Sequence, residues 1–85
     1  MSQRSEIKTW ALRILLKMDG TPLSDSSLDD YIRTGLEPKP TIADISVAKR
    51  DLEKDLFISG STDELTGIVT WTLTTKGEHK AKQLS

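Results

Sequence analysis

Leu52-Glu53-Lys54-Asp55-Leu56-Phe57-Ile58, followed by Thr62-Asp63-Glu64-Leu65-Thr66-Gly67 and then Trp71-Thr72-Leu73-Thr74-Thr75-Lys76-Gly77, decides how this chain is organised. The first segment ends a helical pattern and runs into an apolar stretch, so a helix hands over to a strand there. Residues 57–61 and 68–73 read as two strands joined by a polar turn over 62–67. In the second strand Val69, Trp71 and Leu73 share one face, and Ile68, Thr70 and Thr72 share the other. Threonines suit a solvated face, so Val69, Trp71 and Leu73 are expected inward. The turn carries no Lys or Arg. Thr75 with Glu78 three positions on has the form of a capping box and opens a last helix over 76–84, whose Ala81 and Leu84 close over the core.

Upstream, Thr41 with Asp44 shows the same capping pattern and starts a helix over about 42–54. At roughly 100° per residue, Ile45, Ala48, Leu52 and Leu56 gather on one side, with Ile42 at the margin. Ala43, Ser46, Val47, Arg50 and Lys54 fall opposite them, and Asp44, Asp51 and Asp55 line a flank. Small side chains beside two cations suit a helix that enters a DNA major groove. Arg50 has the fork that reads guanine, Ser46 can bond a base or a phosphate, and Val47 can touch a thymine methyl. The competing reading is a solvated face held by ordinary charge pairs.

Nearer the start, Ile7, Trp10, Ala11, Ile14, Leu15 and Met18 form one apolar stripe on a helix over 5–18, with Ser5 as its cap and Asp19-Gly20 ending it. Arg4, Lys8, Arg13 and Lys17 make its exposed side basic. Leu12 and Leu16 lie off the stripe, and either pack on the last helix or form the seam of a homodimer. Thr21-Pro22-Leu23 is a connector or a very short strand pairing with the hairpin. Ser24 caps a second helix carrying Leu28, Tyr31 and Ile32, which ends near Thr34-Gly35. Its Asp25, Asp29 and Asp30 suit the positive end of the helix dipole and would repel phosphate. Leu36-Glu37-Pro38-Lys39-Pro40 cannot be helical through both prolines, so the connection to the third helix is long and stiff.

At 85 residues the chain has room for one domain and one modest core, structured over about residues 5–84. It has no cysteine, so disulfides and thiolate metal sites are excluded. No apolar run reaches the roughly 20 residues that span a bilayer, and the first residues lack a signal-peptide pattern. A cytoplasmic protein is the expectation. The sole histidine, His79, sits in the terminal helix, and no nucleophile or metal cluster stands out, so neither catalysis nor a cofactor is expected. Trp10 and Trp71 read as core. A formal net charge of -1 lacks the basic excess usual for nucleic-acid binders, so DNA binding depends on where the charges sit.

Together, Leu52-Glu53-Lys54-Asp55-Leu56 and Trp71-Thr72-Leu73-Thr74-Thr75-Lys76-Gly77 resemble the Leu-Glu-x-x-Gly-Leu and aromatic-x-Leu-Thr-x-x-Gly patterns of small stand-alone winged helix-turn-helix regulators. The resemblance runs from about residue 5 to 84. It implies an α+β, mainly α fold: a three-helix core, a two-stranded wing and a C-terminal helix. Asp55 stands at the position given to Gly, and is expected to supply a left-handed turn. The family's third helix enters the major groove, which carries over to Ser46, Val47, Arg50 and Lys54. The implied function is a DNA-binding transcriptional regulator with double-stranded DNA as partner. The alternative is a winged-helix module that docks on another protein without touching DNA.

Overall fold

The computed structural model describes residues 3–84. In chain order these form α1 (Gln3–Lys17), β1 (Leu23–Ser24), α2 (Asp25–Gly35), α3 (Ile42–Lys54), β2 (Ile58–Thr62), β3 (Val69–Leu73) and α4 (Thr75–Leu84). The strands make an antiparallel sheet in the order β1-β3-β2, with Leu23 opposite Trp71 and Ile58 opposite Leu73. The short segment after α1 thus pairs with the hairpin, reaching one residue further than Thr21-Pro22-Leu23. This is the helix, strand, helix, helix, wing, helix order of a winged helix.

Apolar side chains from every helix and from the sheet meet in one core. Ile7, Ala11, Leu12 and Leu15 of α1 pack with Leu28 and Ile32 of α2, Ile45, Ala48 and Leu52 of α3, Ile58, Trp71 and Ala81. Leu12 is only 2% exposed. It is therefore used inside the monomer, and a homodimer seam built on Leu12 is ruled out by its burial. Leu16 is half-buried and packs against the same core. Trp10, expected in the core, lies at its edge, with its indole N–H donating to the Tyr31 carbonyl at 3.2 Å.

Local chemistry sets the helix starts. Ser24 and Thr41 accept from the amides of Ser27 and Asp44, as their spacing predicts. Two other caps differ from expectation. α1 is already helical at Gln3, so Ser5 lies within its first turns. The cap of α4 is Thr74, whose hydroxyl accepts from the Gly77 amide at 3.0 Å, not Thr75.

Packing accounts for the choice of Thr74. A Cβ on Gly77 would lie 1.8 Å from the Phe57 carbonyl oxygen, so the start of α4 rests directly on the backbone that follows α3. Thr74 sits in that seam, receiving its own cap bond and donating its N–H to the Phe57 carbonyl at 3.1 Å.

Candidate nucleic-acid interface

α3 is anchored by Ile45, Ala48 and Leu52, all buried against α1 and the sheet. Truncating Ile45 or Leu52 to Ala would cost about 2–5 kcal/mol, which measures how firmly the helix is seated. Leu56, expected to continue this buried face, is instead 66% exposed. The helix stops before reaching it. Phe57 donates its amide to the Leu52 carbonyl and Leu56 donates to Glu53, the two bonds of a Schellman ending.

Leu56 takes φ +65° in that ending, whereas Asp55 remains right-handed at φ −83°. The left-handed position is thus one residue later than the resemblance suggested. Lys76 of α4 donates to the Asp55 carbonyl at 2.8 Å and stands over the Phe57 ring, so the start of α4 braces the end of α3.

Of the five side chains expected on the outer face, Ala43, Arg50 and Lys54 are exposed, while Ser46 and Val47 are half-buried. Ser46 and Val47 lie nearer the edges of the exposed strip than its crest. Ile42 is 61% exposed and joins the strip at the helix start. Neither Arg50 nor Lys54 has a hydrogen-bond or ion-pair partner among the described residues. At 13 residues, α3 is about 20 Å long, enough to lie along a groove about 12 Å wide.

Among the described residues, Asp51 is the one carboxylate of this helix with an ion-pair partner; Glu53 and Asp55 are exposed and Asp44 is half-buried, each with its carboxylate unpartnered. Asp51 pairs with Lys8 of α1 at 3.4 Å. Lys49, which the sequence reading left unassigned, is buried and meets Asp25 at 2.5 Å and Asp29 at 2.6 Å. The Trp71 indole N–H also donates to Asp25, at 2.7 Å. One ionic node therefore joins α2, α3 and β3. Partial burial opposes the charge on Asp25, but hydrogen bonds from Lys49 and Trp71, with the Lys49 charge, outweigh it and hold the carboxyl below its ordinary range. Lys49 of α3 thus offsets one of the two carboxylate charges it meets on α2. The signal for Lys49 was its spacing: four residues after Ile45, it falls on the inner edge of α3.

Cations outside α3 are partly committed as well. Lys8 holds Asp51, Arg13 donates to the Leu84 carbonyl at 2.6 Å, Lys82 pairs with Glu78, and Lys76 braces α3. Lys17 and Lys80 are exposed without partners among the described residues. At the wing tip, the Asp63 carboxylate accepts from the Leu65 and Thr66 amides, which lowers its pKa. No helix among the described residues is long and apolar enough to cross a membrane, and no group of three or more metal-binding side chains occurs among them.

No protein-family model matches the sequence, and no curated protein does. Among solved structures, the chain is similar to a mutant of MepR from a multidrug-resistant S. aureus clinical isolate, with a TM-score of 0.78 at 17% sequence identity. The similarity covers 94% of this chain and 54% of that one, so the chain spans about half the length of its neighbour. At this identity the likeness concerns architecture alone, and together with the element order and the three-stranded antiparallel sheet it identifies the fold as a winged helix.

Proposed function

We propose that this chain binds double-stranded DNA through α3 and acts as a transcriptional regulator. The observation that carries the reading is the exposed, unpartnered state of Arg50 and Lys54 beside Ala43, with Asp51 held by Lys8 while Glu53 and Asp55 stay exposed beside them. Two free cations on a face with small neighbours give α3 the composition of a groove-reading helix despite the net charge of -1. Arg50 is assigned to base edges and Lys54 to phosphate. Ser46 and Val47, being half-buried, are assigned to the walls of the groove.

Fluorescence anisotropy against a random duplex and a selected duplex, across a salt series, tests this directly. Arg50→Ala should lose about 1–3 kcal/mol on the selected duplex and flatten its preference over random sequence. Lys54→Ala should weaken both about equally and reduce the salt slope by roughly one. Binding that is absent at low salt in the folded wild type, or indifferent to both substitutions, would remove α3 as the interface. The acidic tip over 62–67 favours the second reading, a protein-docking winged helix, because a wing that grips phosphate is expected to carry Lys or Arg.

A further inference from the structure

The apolar end of the wing and a basic cleft on α1 are complementary. Leu65 is 96% exposed, the most open large apolar side chain among the described residues. It is not on a loose tip. The Asp63 carboxylate accepts from the Leu65 and Thr66 amides, Gly67 donates to the Asp63 carbonyl, and Ile68 donates to the Thr66 hydroxyl. The turn is therefore built to hold Leu65 outward, beside Glu64, which has no partner among the described residues. A preformed turn gives up little conformational freedom on docking.

On α1, Trp10, Arg13, Ile14, Leu16 and Lys17 line an open cleft of about 410 Å³. Its walls are mostly apolar, and its charged groups are both cations. Lys17 is exposed without a partner among the described residues, and Arg13 has its Nε buried without one although its Nη2 is tied to the Leu84 carbonyl. Trp10 is fixed in orientation by its bond to the Tyr31 carbonyl. A rigid tryptophan beside an arginine is the composition of an interaction hot spot.

We propose that the wing tip of one copy of this chain docks into the Trp10 cleft of a second copy. Leu65 enters against Trp10 and Ile14 of the second copy, and Glu64 meets its Lys17 and Arg13. The chain supplies both halves of the contact: an acidic apolar plug and a basic apolar socket. This also accounts for a wing tip without cations, since its surface is shaped for protein. Reciprocal docking about a twofold axis closes a dimer, and one-way docking extends a chain of copies. The contact uses no residue of α3, so it stands or falls separately from the DNA reading.

Sedimentation equilibrium over a concentration series tests it, on the whole chain, with Leu65→Ser, Lys17→Glu, Glu64→Lys and the pair Glu64→Lys with Lys17→Glu. All three positions are exposed, so the fold is retained, and circular dichroism checks this. Self-association of the wild type is expected, with each single substitution weakening it at least about tenfold, equivalent to 1.4 kcal/mol. The charge-swapped pair should recover most of that loss, whereas Arg50→Ala should leave association unchanged. Wild type that is monomeric throughout, or association indifferent to Leu65→Ser and not rescued by the swapped pair, overturns the proposal.

Discussion

Replacing Lys49 with Met removes the buried cation that holds α3 against α2 while keeping a flexible side chain of similar length. Asp25 and Asp29 would then face each other with no countercharge, and Trp71 would remain bonded to one of them. Breaking a buried ion pair by deleting one partner costs about 3–5 kcal/mol. Here the side chains of Asp25 and Asp29 are 43% and 22% exposed, so both can turn partly to water. We therefore expect a loss of about 2–3 kcal/mol, a large share of the total stability of a domain this size. Thermal unfolding should shift down by roughly 10–20 °C.

The same substitution should change the acid limb of stability. The Asp25 pKa is lower folded than unfolded, so the unfolded chain binds more protons, and the Asp25 contribution is present above its unfolded value and lost as pH falls through the folded one. In Lys49→Met that contribution disappears, and the profile below about pH 4 becomes shallower. Adding Asp25→Asn and Asp29→Asn should recover part of the loss by removing the uncompensated charges. Urea titrations of the three proteins at pH 7 and pH 3.5 supply the measurement. A loss below about 0.5 kcal/mol for Lys49→Met, the range of an exposed pair, would show that the node does not hold α3 in place.

Thr74→Ala should cost about 1 kcal/mol through loss of the α4 cap, and Thr75→Ala should cost much less, as read by urea midpoints. Leu56→Gly should stabilise by up to about 1 kcal/mol, because relief of a left-handed non-glycine residue exceeds the added freedom of the unfolded chain and little burial is lost. A lower melting temperature for that variant would refute the strain assignment. Gly77→Ala should destabilise by about 3 kcal/mol or leave the chain unfolded by circular dichroism, since its methyl meets the Phe57 carbonyl.

Features fixed by a few neighbouring residues were legible in the sequence. Ser24 and Thr41 cap their helices because the acceptor and the amide it serves are three residues apart, and the alternation of Val69, Trp71 and Leu73 settles which face of β3 turns inward. The outward projection of Arg50 and Lys54 follows from helical spacing in the same way. Where two adjacent residues offer equivalent chemistry, distant packing decides. Thr74 prevails over Thr75 because Gly77 must rest on Phe57, and Leu56 rather than Asp55 turns left-handed because Phe57 has to return to the core beside Leu52. For Lys49 helical spacing gave the inner-edge position but not the partners: its cation is buried because α2 brings two carboxylates to it from 20 and 24 residues away.

The two tryptophans are spectroscopic reporters placed at different seams. The indole of Trp71 is bonded to Asp25, between the sheet and α2, and that of Trp10 to the Tyr31 carbonyl, between α1 and α2. Emission from Trp71 should follow the assembly of the ionic node, and emission from Trp10 the closure of the first helix pair. Variants retaining one indole each would thus resolve whether these seams open in concert or in sequence, without any attached dye.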